Sequence, residues 1–418
     1  MVSTTTNSNG HSPQLLHIDA SFNPQDSESS ALDLVYRIQS KWRDAPGKIE
    51  IIKFTDGITN NLLKISKHIP GLTSTEIDED SVLLRAYGNN TDIIIDRDRE
   101  ATSHALCAQF GLAPTLLARF NNGLLYRYII GKVCTPKDLI REPVWRAVAE
   151  RLGEWHSRLP IHAVASKSTV QNGSNGTNGS HNPALNGVNG QSALLSRKPV
   201  PNCWSVMQKW VSALPQDTLK KKARKQILQK ELDRSFKDLD NQRGPGADGF
   251  VFGHCDLLSA NVIMLPLDAH DSQSDSNLRV SFIDYEYATP CPASFDIANH
   301  FAEWGGYDCD YNMLPTRSVR RGFIQQYLAS YNAHSDKPVP ENMHQILFDE
   351  IDRWRGMPGL YWGIWALIQA TISQIDFDYA SYAEVRLDEY FAWRAEESGS
   401  RAQEGEEMPL RERRWAEE

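Results

Sequence analysis

Several features that would place a chain quickly are scarce in these 418 residues. There are only six cysteines (Cys107, Cys134, Cys203, Cys255, Cys291 and Cys309), with no CxxC pair and no regular spacing. That argues against a zinc ribbon or a disulfide framework and predicts reduced, partly buried thiols. No long apolar run exists: the most apolar stretch, Tyr361 to Ile372, has 12 residues and is too short to cross a bilayer. The first 30 residues carry neither a basic n-region nor an apolar h-region, so no secretory signal is read there. A basic excess is missing too. Lys and Arg number 44 against 53 Asp and Glu, a formal charge of -9, which disfavours a dedicated nucleic-acid binder. Together these absences predict a cytoplasmic protein with no nucleic-acid partner and no stable membrane insertion.

What is present is an ordinary globular balance, 40% hydrophobic and 23% charged. The length allows two to four domains of roughly 100–200 residues, or one large two-lobed unit. Residues 1–30 read as a disordered tail. A helix is predicted over Ala31–Trp42. Short β-rich runs follow at Ile49–Phe54, Asn61–Ile65, Val82–Tyr87, Thr115–Arg119 and Gly123–Ile130, around a helix at Asp96–Gln109. Strands around one helix predict a small α+β lobe over 31–130. From 131 to 395 the pattern is mainly helical. Pro143 opens a helix whose apolar face holds Trp145, Val148, Ala149, Leu152 and Trp155, and helix resumes over 204–240. Between them, 165–200 reads as a disordered Asn/Gly-rich surface insertion, because 11 of the 20 residues from Gln171 to Gly190 are Asn or Gly. Its three sequons, at Asn172, Asn175 and Asn178, are expected to be accidental without a secretory signal. Residues 396–418 read as a charged, frayed tail.

The chemistry concentrates in two segments. Phe252 to Ile263 has the form HxDxxxxN, with His254, Asp256 and Asn261 between apolar runs. Asp284 follows 23 residues after Asn261 at the end of a short strand, and Glu286 lies two further on. Phosphoryl transfer needs such a set: one carboxylate to accept the proton of the attacking hydroxyl, and an Asn and a second carboxylate to hold Mg²⁺ against the phosphates. On that pattern Asp256 is the base, Asn261 and Asp284 are metal ligands, and His254 is a structural imidazole bonded to loop backbone. Glu286 supports a second Mg²⁺ or is an exposed or Arg-paired carboxylate. Upstream, Ile49 to Ile65 reads as strand, turn, strand. Its DGITNN turn either covers phosphates with backbone N–H groups or is an ordinary hairpin turn. Arg85 on the next strand either meets phosphates, oriented by Glu100, or joins Glu100 in a plain surface ion pair.

The segments DGITNNL, VLLRAYG, GHCDLLSANVI, FIDYEYA followed by FDIANHFAEW, and YWGIWALIQATISQIDFDYASYAEVR together resemble the choline/ethanolamine kinase family, over about 49–393 without the insertion. The resemblance implies a two-lobed, protein-kinase-like α+β fold: a β-rich nucleotide-binding lobe over 31–130 and a larger helical, catalytic and substrate-binding lobe over 131–395. It implies ATP and Mg²⁺ as cofactors. Gly57, Thr59 and Asn60 match the family's phosphate-covering loop, which here begins Asp-Gly where many relatives have Gly-Gly, and Arg85 matches its phosphate-reading strand. FDIANHFAEW carries Asp296, Asn299 and Glu303 at helical spacing. Asp296 and Glu303 are expected to border the substrate pocket, with a buried network bracing the catalytic loop as the alternative. Trp362, Trp365, Phe377 and Tyr382 match an aromatic pocket able to hold an ammonium head group.

The stretch after Glu303-Trp304, with its Gly pair and Asp-Tyr, resembles the ethanolamine branch more than the choline branch. The implied activity is ATP-dependent phosphorylation of ethanolamine, feeding phosphatidylethanolamine biosynthesis by the CDP-ethanolamine route. A choline kinase or broad amino-alcohol kinase is the alternative. A non-catalytic kinase-like binding protein is disfavoured by the intact Asp256, Asn261 and Asp284. A homodimer is the assembly expected.

Overall fold

A computed structural model describes residues 15–54, 61–88, 91–164, 166–167, 198–266, 278–373 and 375–418. The chain divides into two compact units, one from residues 1–89 and 114–130, the other from 90–113 and 131–418.

The first unit is a six-stranded sheet. Its strands are β1 (His17–Ile18), β2 (Lys48–Phe54), β3 (Asn61–His68), β4 (Val82–Ala86), β5 (Leu116–Phe120) and β6 (Gly123–Arg127), in the order β1-β5-β6-β4-β3-β2. β1 joins β5 in parallel, and the remaining ladders are antiparallel. Every side chain of the interior strand β4 is buried, whereas the edge strand β2 alternates with solvent. Helix α1 (Ser27–Ile38) packs Ala31, Leu34 and Val35 into a core with Leu63, Ile65, Val82, Leu84 and Leu125. The capping box Thr73/Glu76 starts α2 (Ser74–Asp80), and Lys64 reaches back to Asp78.

The second unit is mainly helical. Helix α3 (Arg97–Gln109) belongs to it, although the sequence pattern assigns that helix to the small lobe. Helix α4 (Pro136–Leu139) leads to α5 (Glu142–Arg158), whose buried face includes Val144, Val148, Leu152 and Trp155. The single helix expected over 204–240 is two, α6 (Cys203–Ala213) and α7 (Leu219–Leu239). Pro215 causes the break, because it drives the preceding Leu214 out of the helical region to ψ 138. The rest of the unit comprises α8 (Ala293–Ala302), α9 (Arg317–His334), α10 (Met343–Trp354), α11 (Met357–Ile372), α12 (Tyr379–Ser398), α13 (Ser400–Gln403) and α14 (Leu410–Ala416). Four short ladders support it, with β7 (Lys132–Val133), β8 (Ser166–Lys167), β9 (Pro199–Val200), β10 (Val251–Gly253), β11 (Val262–Met264), β12 (Val280–Phe282) and β13 (Thr289–Cys291) pairing as β7-β11-β12, β8-β9 and β10-β13.

Both expected tails need correction. Residues 15–30 are ordered: β1 pairs with β5, Ile18 and Phe22 are buried, and α1 begins at Ser27. At the other end, α14 buries Arg411, Glu412 and Trp415. In each case one or two apolar anchors in a polar stretch suffice to dock it. The Asn/Gly insertion, sequons included, lies outside the described residues apart from β8, β9 and their flank. All six cysteines are free thiols, and all but Cys309 are buried.

Candidate active site

The HxDxxxxN loop runs from the end of β10 to the start of β11. Gly253 closes β10 where a Cβ would lie 2.2 Å from Cys291 Sγ, so only glycine fits between the two strands. Cys255 then takes a left-handed φ of 61°. For a residue with a Cβ that conformation costs about 1–3 kcal/mol and persists only where its surroundings over-determine it.

Three side chains of α8 supply that determination. The Asp296 carboxylate accepts from both His254 N (2.9 Å) and Cys255 N (2.7 Å). Asn299 Nδ2 donates to Cys255 O (3.0 Å), and His300 Nδ1 donates to Leu257 O (2.7 Å). Positions i, i+3 and i+4 share a helix face, so one polar stripe pins three residues of the loop, His254, Cys255 and Leu257. Asp296 Oδ2 also accepts from His156 Nε2 at 2.9 Å, and His156 Nδ1 meets Tyr327 OH at 2.9 Å. Burial works to raise the Asp296 carboxyl, yet the His156 bond and charge, His254 and the Cys255 amide hold it below its ordinary range. Asp296 is therefore a brace of the loop, not the substrate ligand expected, because its oxygens are spent on loop amides and an imidazole. His156 and Tyr327 went unread in the sequence, where a lone His on an apolar helix face carries no signal.

His254 Nε2 donates to Ile283 O at 3.0 Å, tying the loop to the strand end that carries Asp284. A carbonyl can only accept, so the proton sits on Nε2. Burial lowers this imidazole below its ordinary pKa and keeps it neutral. Burial likewise takes His300 down to about 4. His254 is thus a structural imidazole within the loop.

Asn261 Nδ2 donates to Asp256 O (2.8 Å) and Oδ2 (3.1 Å), fixing the buried Asp256 side chain. Asn261 O accepts from Ile283 N at 3.0 Å, which brings Asp284 beside the loop. Asp284 is half-buried and takes a left-handed φ of 67°. The Asp256 carboxyl is pushed well above the usual carboxylate range, first by burial and then by the charges of Asp284, Glu286 and Glu303. Glu286, expected as a metal ligand, is buried and pairs with Arg97 through Oε2 at 3.4 Å. Glu100, expected to orient Arg85, pairs with the same Arg97 at 2.9 Å, one turn along α3.

The aromatic residues are brought together in part. Trp362 and Trp365 meet edge to face at 5.5 Å on α11. Trp362 Nε1 donates to Asn299 Oδ1 (2.8 Å) and Trp365 Nε1 to Tyr287 OH (2.8 Å). Phe377 lies 5.6 Å from Tyr382 and 4.8 Å from Tyr379, and Tyr379 lies 5.7 Å from Trp365. Tyr307, 44% exposed, joins Phe377 and Tyr382 at 5.9 and 6.3 Å. Burial raises the hydroxyls of Tyr307 and Tyr382, and the Glu303 charge adds to both. Tyr287, Tyr307 and Tyr379 were missed. Their signal was available in the DYEY, GGYDC and FDYAS segments, where each tyrosine stands next to a carboxylate. Glu303 itself is buried, raised by burial against the pull of Arg386, whose Nη2 donates to Oε1 at 3.0 Å.

In the sheet unit Arg85 is buried on β4, in register between Leu62 of β3 and Leu124 of β6. Gly57, Thr59 and Asn60 lie outside the described residues.

A β-rich unit, a helical unit and a braced HxDxxxxN loop beside a strand-end Asp define a protein-kinase-like phosphotransferase. The solved Plasmodium vivax ethanolamine kinase shares the fold with a TM-score of 0.62 at 22% identity, covering 87% of this chain and 88% of that one. The choline kinase of Cryptosporidium parvum does so with a TM-score of 0.57 at 20% identity, covering 89% and 97%. Human ethanolamine kinase 1 is 31% identical over 400 residues, which cover 92% of this chain and 76% of the human protein. The choline/ethanolamine kinase profile matches residues 51–391. The chain belongs to the choline/ethanolamine kinase family.

Proposed function

We propose that this chain transfers the γ-phosphoryl group of ATP to the hydroxyl of ethanolamine, making phosphoethanolamine for phosphatidylethanolamine synthesis by the CDP-ethanolamine route. The observation that carries the chemistry is Asp256, a buried carboxyl fixed by Asn261 on a loop that α8 pins from behind. Sequence kinship to human ethanolamine kinase 1 supports the choice of substrate.

Asp256 takes the proton of the substrate hydroxyl. Burial and the carboxylates crowding it raise this carboxyl, and positive charge placed among those oxygens works in the opposite direction, toward the basic form. Mg²⁺ fits this donor set: Asn261 spends its Nδ2 on Asp256 and keeps its amide oxygen, and Asp284 adds a carboxylate, both hard ligands. Asn261 and Asp284 would hold Mg²⁺ there, and its charge would offset that of the phosphates. The family resemblance gives Gly57, Thr59, Asn60 and Arg85 the phosphate-binding role. Tyr307, Phe377, Tyr382 and Trp365 offer ring faces to the ammonium, and Glu303 supplies the acceptor that a primary ammonium needs and a trimethylammonium does not.

In this reading the enzyme works in the cytoplasm on a small soluble substrate, and as a homodimer. Among the described residues no helix is long and apolar enough to cross a membrane. The test is steady-state kinetics with Mg-ATP on ethanolamine and choline side by side. A higher kcat/KM for ethanolamine is expected, and an equal or higher value for choline overturns the substrate choice.

A further inference from the structure

Six charged side chains form one alternating line from Glu303 to the C-terminal helix. Arg386 Nη2 meets Glu303 Oε1 at 3.0 Å, and Arg386 Nε meets Glu389 Oε2 at 3.4 Å. Arg411 of α14 lies next, with Nε 3.9 Å from the same Glu389 oxygen and Nη1 2.9 Å from Glu412 Oε1. Arg355 Nε closes the line on Glu412 Oε2 at 2.9 Å. All but the half-buried Arg355 are buried. The helix is also packed against the catalytic scaffold. Trp415 lies 6.3 Å from Phe301 of α8, its Nε1 donates to Asp352 (2.7 Å), and the Arg320 guanidinium covers its ring at 4.0 Å.

Buried charges hold their positions through their neighbours, because low dielectric magnifies each loss. Arg386 stands between two carboxylates, and Glu389 between two guanidiniums. Without Arg411, Glu389 keeps one close guanidinium, Arg386, and draws it away from Glu303. The Glu303 carboxylate then loses the hydrogen bond that sets its orientation.

We propose that α14 is a positioning element of the amino-alcohol site: Arg411 puts a second positive charge beside Glu389, shares that carboxylate with Arg386, and so leaves the Arg386 Nη2 group to orient Glu303. The inference rests on the proposed role of Glu303 as acceptor of the substrate ammonium. It deepens that role by assigning part of substrate affinity to a residue of the C-terminal segment.

The experiment is KM and kcat of full-length Arg411→Met, with ethanolamine varied at saturating ATP and ATP varied at saturating ethanolamine. The ethanolamine KM is expected to rise about fivefold, with kcat and the ATP KM within about twofold of wild type. Glu389→Gln added to Arg411→Met removes the competing carboxylate and returns the ethanolamine KM to within about twofold of wild type. Arg411→Met losing kcat and both affinities together, or the double variant failing to restore the KM, makes Arg411 merely structural and overturns the proposal. Where Arg411→Met does not fold, the double variant decides alone, by a wild-type ethanolamine KM or by its failure. A wild-type chain without ethanolamine turnover overturns the functional reading along with this one. Turnover with an unmoved Arg411→Met KM overturns this one only.

Discussion

Two aspartates of the catalytic scaffold share burial and differ in everything else. Asp296, at the root of the loop, accepts two backbone N–H groups and an imidazole N–H, and its carboxyl is held below the ordinary range. Asp256, at the tip, has one side-chain amide for support and three other carboxylates for company, and is pushed far above that range. The root is where the fold gains stability from a charge. The tip is where the fold tolerates a destabilised charge, which added positive charge can relieve. The left-handed Cys255 and Asp284 sit on the two segments that form the tip, the same pattern of local cost beside the chemistry.

Replacing each aspartate separates the two. Asp256→Ala is expected to lower phosphoryl transfer by about 10²- to 10⁴-fold in steady-state assays, as for loss of a general base, with ATP binding retained. Its stability effect runs the other way. A carboxyl whose folded pKa is raised binds its proton more tightly folded than unfolded, so it costs stability as pH rises above the unfolded value of about 3.9. Metal-free Asp256→Asn should therefore melt no lower than wild type at neutral pH, and its advantage should shrink as pH falls. A lower melting temperature at pH 7 would make Asp256 a second brace.

Asp296→Asn is expected to lose about 3 kcal/mol of stability by denaturant titration, since it leaves His156 and two loop amides without their charged acceptor. The pH dependence runs the opposite way: a depressed carboxyl contributes stability above the unfolded pKa and loses it as pH falls through and below about 3.9. The wild type should therefore lose an acid-dependent stabilisation that Asp296→Asn lacks. Asp284→Asn bears on the tip alone. Its half-maximal Mg²⁺ concentration should rise at least about tenfold with little change in melting temperature, and an unchanged Mg²⁺ response would remove its ligand assignment.

The tip was legible in the sequence and the root was not, for a physical reason. His254, Asp256 and Asn261 lie within one short loop, so their register is written in their spacing, and Asp284 follows at a strand end. Asp296 and Asn299 form a polar stripe that suits either a substrate or a brace. Only the fold, which brings His156 from 140 residues away to Asp296, decides between them. Glu286 was placed by motif, yet it pairs with Arg97 from far away in the chain, a partner no local pattern reveals. The termini were misread for a related reason. Composition averages over a segment, while docking needs only Ile18 and Phe22 at one end and Trp415 at the other. Strands and helices with strong periodicity fell close to their expected places, and the helix over 204–240 failed only where Pro215 intervenes.

The smallest expected effect tests whether root and aromatic cluster are one structure. Trp362 Nε1 donates to Asn299 Oδ1, and Asn299 Nδ2 donates onward to Cys255 O, so the indole is the last member of the brace. Trp365, one turn along, spends its donor on Tyr287 OH and sits nearer the Tyr379 ring. Trp362→Phe keeps an aromatic face but leaves a buried amide oxygen without its donor, which costs about 1–2 kcal/mol. The expected result is a lower melting temperature and a kcat reduced about three- to tenfold, with the ethanolamine KM within about twofold. Trp365→Phe should show the reverse split, a raised ethanolamine KM with kcat nearly kept. Were the two variants to behave alike, the cluster would form one undivided pocket, and the separation of brace from binding surface would end at α8.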